Sequence, residues 1–164
     1  MIFKLQENQI DKLEEFLQKA SFADKKQMEY LNELAPGLVH YGEVSSEVRV
    51  DFYNTDNKTL TDYLSEILEI QNVKPLTIHT VNYNINGEVL EHIDANSFHT
   101  YVIMLEDNFE GGDFYLNKEL IDFKKRGDVA YYEGWSSPHS ISKITKGNRK
   151  VLVLWYSEFP KNSV

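Results

Sequence analysis

Beyond Leu76 the chain breaks into short alternating runs separated by turn residues, and this pattern limits its fold more than any other feature. Strands are predicted over 77–84, 88–93, 98–105, 112–116, 120–123, 128–132, 139–144 and 149–156. The punctuation is Asn86-Gly87, Glu110-Gly111-Gly112, Arg126-Gly127 and Lys146-Gly147-Asn148. Asn-Gly between two alternating runs predicts a two-residue hairpin, because a type I′ turn needs positive φ at both central positions. Short strands at this spacing predict a sandwich or barrel. Two of the runs, Tyr101 to Leu105 and Val151 to Trp155, are apolar on both faces. A sheet covered on its second face by other elements produces that pattern.

The first half supplies the cover. Ile10, Leu13, Phe16 and Leu17 recur at helical spacing, with Asn8 as the expected cap. A second helix is predicted near 28–34, stopped by Pro36-Gly37. A third begins near Thr59, where Thr59 and Asp62 resemble a capping box, and buries Leu60, Leu64, Ile67 and Leu68. Between the last two, 47–52 alternates like a strand. The expected organisation is one domain over 1–164. Residues 1–75 form a mostly helical support, and 76–157 form a β core.

Composition removes several functions. The chain has no cysteine, so disulfides, thiolate ligands and cysteine nucleophiles are excluded. Any transition metal must sit on imidazoles and carboxylates. A formal charge of −9 argues against a nucleic-acid partner. The only dense basic cluster, Lys124-Lys125-Arg126, reads as a solvated turn. No apolar run is long enough for a membrane span, and the N-terminus lacks a secretory pattern, so a cytoplasmic protein is expected.

One constellation carries chemistry. His92 and Asp94 are two residues apart, and in extended backbone they project to the same side. His139 opens a later predicted strand. Two imidazoles and one carboxylate suit a facial iron(II) site, in which three protein ligands leave three positions open. They also suit zinc, so ligand type alone does not choose the metal. Arg149 is one of only three arginines against 14 lysines, and it shares a strand face with Val151, Val153 and Trp155. A charge on an apolar face is costly unless paired, and a guanidinium fork grips a carboxylate such as the far end of 2-oxoglutarate. A hairpin between the strands of His139 and Arg149 would bring both to one cavity. His40, His79 and His99 lack such a frame and are read as structural.

Residues 77–156 resemble the prolyl 4-hydroxylase-like group of iron(II)/2-oxoglutarate dioxygenases. The resemblance runs through Tyr83, His92-Ile93-Asp94, Thr100 to Leu105, Phe109 to Phe114, Gly127 to Ala130, Pro138-His139-Ser140-Ile141, Gly147-Asn148-Arg149 and Val153 to Tyr156. It implies a mainly β fold with bracing N-terminal helices, a double-stranded β-helix of the jelly-roll or cupin-like kind. It implies His92, Asp94 and His139 as metal ligands, all three of them catalytic with Arg149. Arg149 would pair with the distal carboxylate of the co-substrate, and the hydroxyls of Tyr83 and Thr100 would reach it. The implied cofactors are Fe(II), 2-oxoglutarate and O2, with ascorbate as a candidate auxiliary reductant. The implied reaction is hydroxylation of an unactivated C–H bond, first of all in a prolyl residue of a protein or peptide. A free amino acid or other small molecule is the alternative substrate. A catalytically silent binding module, or a cupin-like metal enzyme without 2-oxoglutarate, is the alternative of another class. Met104 stands where some members carry a tyrosine. Trp155 stands where the nucleic-acid demethylase branch has a second arginine. Residues 49–56 and the Glu133-Gly134-Trp135-Ser136 loop are expected to border the substrate opening.

Overall fold

A computed structural model describes residues 1–34, 46–71, 73–157 and 161–162. Pro36, Gly37 and His40 lie outside them. Three helices precede the β core: α1 (Glu7–Lys19), α2 (Lys25–Leu34) and α3 (Lys58–Leu68). The start of α1 is set by Gln6, whose N–H donates to Gln9 Oε1 at 2.8 Å, so the expected cap Asn8 is already inside the helix. The start of α3 is set by Asn57, which accepts from Leu60 N at 3.1 Å. Asn is a better cap than the expected Thr59, because its carbonyl reaches the third N–H directly. Asn57 therefore starts the helix two residues earlier.

The strands are β1 (Ile2–Lys4), β2 (Val48–Phe52), β3 (Ile70–Gln71), β4 (Thr77–Tyr83), β5 (Val89–His92), β6 (His99–Glu106) and β7 (Phe109–Gly111). They continue with β8 (Phe114–Leu116), β9 (Glu119–Ile121), β10 (Asp128–Tyr132), β11 (His139–Ile141), β12 (Ile144–Gly147), β13 (Arg149–Tyr156) and β14 (Lys161–Asn162). Six form the main sheet in the order β1-β10-β6-β13-β4-β2. Four form the second, β5-β11-β8-β9. Small pairs β12-β7 and β14-β3 complete the set.

The two-faced strands explain the layering. Tyr101, Ile103 and Leu105 of β6, with Leu152, Leu154 and Tyr156 of β13, pack under α1 and α3 against Ile10, Leu13, Leu60 and Leu64. Full burial of each such aliphatic side chain is worth roughly 1.5–3 kcal/mol. The alternate residues, Val102 and Met104 of β6 and Val151, Val153 and Trp155 of β13, face the second sheet. There they meet Val89, Phe114 and Ile141. Mainly β, helix-braced and two-sheeted, the architecture is a jelly-roll double-stranded β-helix. No described helix is long and apolar enough to cross a membrane.

Three local expectations differ. The Asn86-Gly87 segment turns sharply, with Asn86 at φ 72, but joins no hairpin. Its flanking strands go to opposite sheets, because β4 pairs with β13 and β2 while β5 pairs with β11. Likewise His139 and Arg149 do not share a hairpin. The predicted strand 139–144 splits into β11 and β12, and β12 pairs with β7. Lys124-Lys125-Arg126 is also more than a solvated turn. Arg126 pairs with Glu7 at 2.7 Å and Asp11 at 2.9 Å, pairs with Glu14, and donates to Leu105 O at 2.7 Å. It fastens α1 to the sheet.

Candidate active site

The second sheet holds two of the three candidate ligands face to face. His92 ends β5, His139 begins β11, and the register sets them opposite each other. Their rings lie 4.3 Å apart between centroids. Asp94 follows two residues after His92. Its N–H donates to Gly134 O at 2.9 Å, and its carbonyl accepts from Ser97 N at 2.9 Å. These bonds fix the segment and send the carboxylate inward, where Asp94 is 8% exposed. One ligand atom from each of the three residues lies within 4.8 Å of the other two.

The tautomers follow from the neighbours. His92 Nδ1 lies 2.7 Å from Leu90 O, and His139 Nδ1 lies 2.8 Å from Ser137 O. A carbonyl can only accept, so each Nδ1 carries the proton and donates it. In the neutral rings each Nε2 keeps the lone pair a metal needs, and without a metal it can take a proton shared with Asp94. Both Nε2 atoms converge on one carboxylate, His139 at 2.9 Å from Oδ2 and His92 at 3.4 Å from Oδ1. Burial pushes the Asp94 carboxyl upward, but the two imidazoles outweigh it and hold the group at about 2. The carboxylate is therefore charged at neutral pH.

Arg149 enters from the opposite sheet. It opens β13 directly across from Tyr83 of β4, and it is 1% exposed. Its guanidinium carbon lies 4.9 Å from the Tyr83 ring and 5.8 Å from Phe123. Gly112, at φ +61, makes room for it: a Cβ there would stand 3.2 Å from Arg149 Cδ and 2.6 Å from Ile144 Cδ1. One cavity is lined by the triad, Arg149 and Tyr83, with His79, Val151, Val153 and Trp155 along the main sheet. Its free volume is about 30 Å³.

Thr100 is not on that cavity wall. It is fully buried, and its hydroxyl lies 2.7 Å from Ser97 Oγ. Arg49 is on the outer strand β2 and pairs with Asp51 at 3.0 Å. Trp135 is 46% exposed and its ring meets Phe98 edge-on, while its backbone N–H donates to Ser97 O at 2.9 Å. Its loop thus adjoins the Asp94 segment. Two residues in the cavity carried no sequence signal. His79, read as structural, sits between Phe52 and Trp155 with Nδ1 3.0 Å from Thr77 Oγ1. Tyr132 packs on His139 at 4.8 Å. Alternation put both on the inner face of their strands, but an inward His or Tyr in a sandwich is ordinarily core.

No family model matches the chain. Over 100 residues, 52% of the chain, it is 29% identical to prolyl 3-hydroxylase 1 of Gallus gallus. Over 98 residues it is 26% identical to the Homo sapiens protein of that name. These matches take in 14% and 13% of the relatives, so the chain spans only a small part of their length. Among solved structures, a Trichoplax adhaerens prolyl hydroxylase in complex with a hypoxia inducible factor peptide fragment aligns with TM-score 0.62 at 15% identity, over 95% of this chain and 82% of that one. The chain resembles the prolyl hydroxylases in fold and sequence. A Pseudomonas putida prolyl-4-hydroxylase aligns with TM-score 0.55 at 12% identity, over 96% of this chain and 92% of that one. The viral collagen prolyl hydroxylase of Paramecium Bursaria Chlorella virus-1, solved with 2OG, aligns with TM-score 0.53 at 13% identity, over 83% and 91%. The jelly-roll prolyl hydroxylase architecture thus extends over nearly the whole chain.

Proposed function

We propose that the chain is an Fe(II)/2-oxoglutarate-dependent dioxygenase acting on a prolyl residue of a protein or peptide, with 76–157 as its catalytic core and 1–75 as its support. The observation that carries this reading is the shared cavity: three metal-competent donors at one end and a buried guanidinium at the other. The donor set fits Fe(II). It is two imidazoles whose Nδ1 protons are held by carbonyls and one buried carboxylate, with one ligand atom from each within 4.8 Å of the others. When bound, iron with O2 and 2-oxoglutarate supplies the oxidising power, converting the diacid to succinate and CO2 while one oxygen atom enters the substrate C–H bond.

The protein's part is positioning. His92, Asp94 and His139 hold the metal, and the Leu90 and Ser137 carbonyls keep both rings in the binding tautomer. Arg149 offers two parallel donors and a fixed charge to the distal carboxylate, with Tyr83 packed against its plane. Val151, Val153 and Trp155 exclude water along the main sheet. A peptide substrate is supported by two things. The Trichoplax relative was solved with a peptide fragment. Here the Asp94 segment carries the exposed apolar side chains Ile93, Phe98 and Trp135 beside the site.

The deciding experiment is succinate release from iron-loaded protein with 2-oxoglutarate, alone and with proline-containing peptides. Slow uncoupled release, accelerated by a peptide that gains one oxygen atom, is expected. His92→Ala should abolish both while the protein stays folded. No 2-oxoglutarate consumption under any condition would overturn the reading in favour of a binding module. Acceleration by free amino acids alone would move the substrate to that class.

A further inference from the structure

Two buried hydroxyls outside the cavity, Ser97 and Thr100, sit where the segments of two candidate ligands meet. Both residues are fully buried. Ser97 ends the turn that begins at Asp94, with its N–H on Asp94 O at 2.9 Å. Thr100 lies near the start of β6, opposite Tyr132 of β10. Directly after β10 the chain turns again, with Ser136 N and Ser137 N both donating to Glu133 O, at 3.3 and 3.0 Å.

The two turns are joined by a pair of backbone bonds. Asp94 N donates to Gly134 O and Trp135 N donates to Ser97 O, both at 2.9 Å. The second turn also presents Ser137 O, which takes the His139 Nδ1 proton at 2.8 Å. A single loop thus anchors the Asp94 backbone through Gly134 and fixes the His139 ring through Ser137. Gly134 permits the close approach, since a Cβ there would stand 2.7 Å from Thr100 Oγ1 and 3.2 Å from Ser97 Cβ. The hydroxyls secure the join. Ser97 Oγ donates its one proton to His99 O at 3.1 Å, so in the 2.7 Å contact between the two side chains Thr100 Oγ1 is the donor. That chain of bonds ties the end of the Asp94 turn to β6, the strand beside β10.

We propose that Ser97 and Thr100 are positioning residues for the metal site: their hydroxyl pair holds the Asp94 turn against the 133–137 turn and so sets the Asp94 carboxylate against the His139 ring. Neither touches the metal or the diacid. Thr100 thereby serves the metal's support, in place of the co-substrate contact that the resemblance implied. The inference rests on the metal-binding part of the reading above. Groups that orient ligands from behind are worth roughly ten- to hundredfold in metal affinity. These two act through backbone, so the lower end is expected.

The test is calorimetric titration of Mn²⁺ into the full chain for wild type, Thr100→Val, Thr100→Ser and Ser97→Ala, then of 2-oxoglutarate into the Mn²⁺-saturated proteins. Thr100→Val and Ser97→Ala should each bind Mn²⁺ roughly tenfold more weakly. Thr100→Ser keeps the donor and should bind it as wild type does. The visible band of the Co²⁺-loaded protein should shift in Thr100→Val and return in Thr100→Ser. If Thr100→Val does not fold, Ser97→Ala carries the test. Unchanged Mn²⁺ affinity in either folded variant would overturn the proposal and leave the functional reading standing. Thr100→Ser as weak as Thr100→Val would overturn it too, because side-chain bulk and not the hydrogen bond would then matter. Diacid binding weakened more than Mn²⁺ binding would overturn it by making Thr100 a co-substrate contact. Wild-type protein that binds no Mn²⁺ would instead overturn the functional reading itself, and this proposal with it.

Discussion

Replacing Arg149 by Met separates the cost of burying a cation from its use in binding. In the free protein the guanidinium is 1% exposed and lies between the rings of Tyr83 and Phe123. Those contacts recover about 2 kcal/mol of its desolvation cost. Met fills a similar volume without the charge, and exchanges of this kind are neutral or stabilising. Arg149→Met should therefore leave the melting temperature of the ligand-free protein unchanged or raise it. Co-substrate binding should respond oppositely. A distal carboxylate buried without its partner costs ~2–5 kcal/mol, a loss of roughly thirtyfold or more in affinity. At a concentration about 100 times its dissociation constant, 2-oxoglutarate stabilises wild type by about 2.7 kcal/mol, or roughly 5–10 °C for a chain of this size. At the same concentration Arg149→Met should keep less than about 1 kcal/mol, a shift below roughly 3 °C. Arg149→Lys, with charge but no fork, should fall between them. Thermal unfolding with Mn²⁺, with and without the diacid, measures both effects. A full ligand-induced shift in Arg149→Met would show that the diacid is held elsewhere, and the cavity argument would fail.

Gly112→Ala should cost about 1–3 kcal/mol, because Gly112 sits at φ +61 and a Cβ would press on Ile144 and Arg149. The same variant should weaken 2-oxoglutarate binding by displacing Arg149, and denaturant titration plus calorimetry reads both. Arg126→Met should lower stability by roughly 1–3 kcal/mol, since it unfastens Glu7, Asp11 and Glu14 of α1 and frees Leu105 O. If the melting temperature of Arg126→Met equals wild type at low salt, the fastening role is wrong. His79 should make the protein acid-sensitive. Burial lowers its value to about 3 against a weaker upward pull from Asp94, while the unfolded chain takes up that proton near 6.5. The stability present above 6.5 is therefore lost progressively as pH falls toward 3, by about 2 kcal/mol at pH 5. His79→Gln should flatten the slope between pH 7.5 and 5; an identical slope in both proteins would refute the assignment.

Legibility in the sequence followed physical range. Strand periodicity is local, and seven of the predicted runs correspond to β4, β5, β6, β8, β9, β10 and β13 with small shifts at their ends. The helical cover was legible because β6 and β13 are apolar on both faces, which an uncovered sheet face would not tolerate. Pairing is not local. Asn86-Gly87 supplied a turn, but nothing in two residues says whether the chain returns to the same sheet or crosses to the other. Here the exchange of hydrogen bonds with Ile144 decides it, since Asn86 N donates to Ile144 O and Ile144 N donates to Gly87 O. The cap of α1 was missed for a related reason. Gln6 is a weak capping type by statistics, and only its reciprocal pairing with Gln9 makes it the start.

The candidate site depends on that crossing more than on any single motif. In a simple meander, His92 and His139 would lie on one sheet with Arg149 beside them, and no interior would separate metal from anion. In the observed order, β5 and β11 hold the two imidazoles in the second sheet, and β13 holds Arg149 in the first. The cavity is the gap between sheets, so the triad and the guanidinium face each other across apolar side chains instead of sharing a solvent-exposed edge. The strand face of Arg149 was readable from alternation with Val151 and Val153. That the opposite wall would carry the triad followed only from β5 and β4 parting at Asn86-Gly87. Tyr132 shows the same limit: its inward direction is a local fact, but its meeting with His139 and Phe114 is set by two strands of the other sheet.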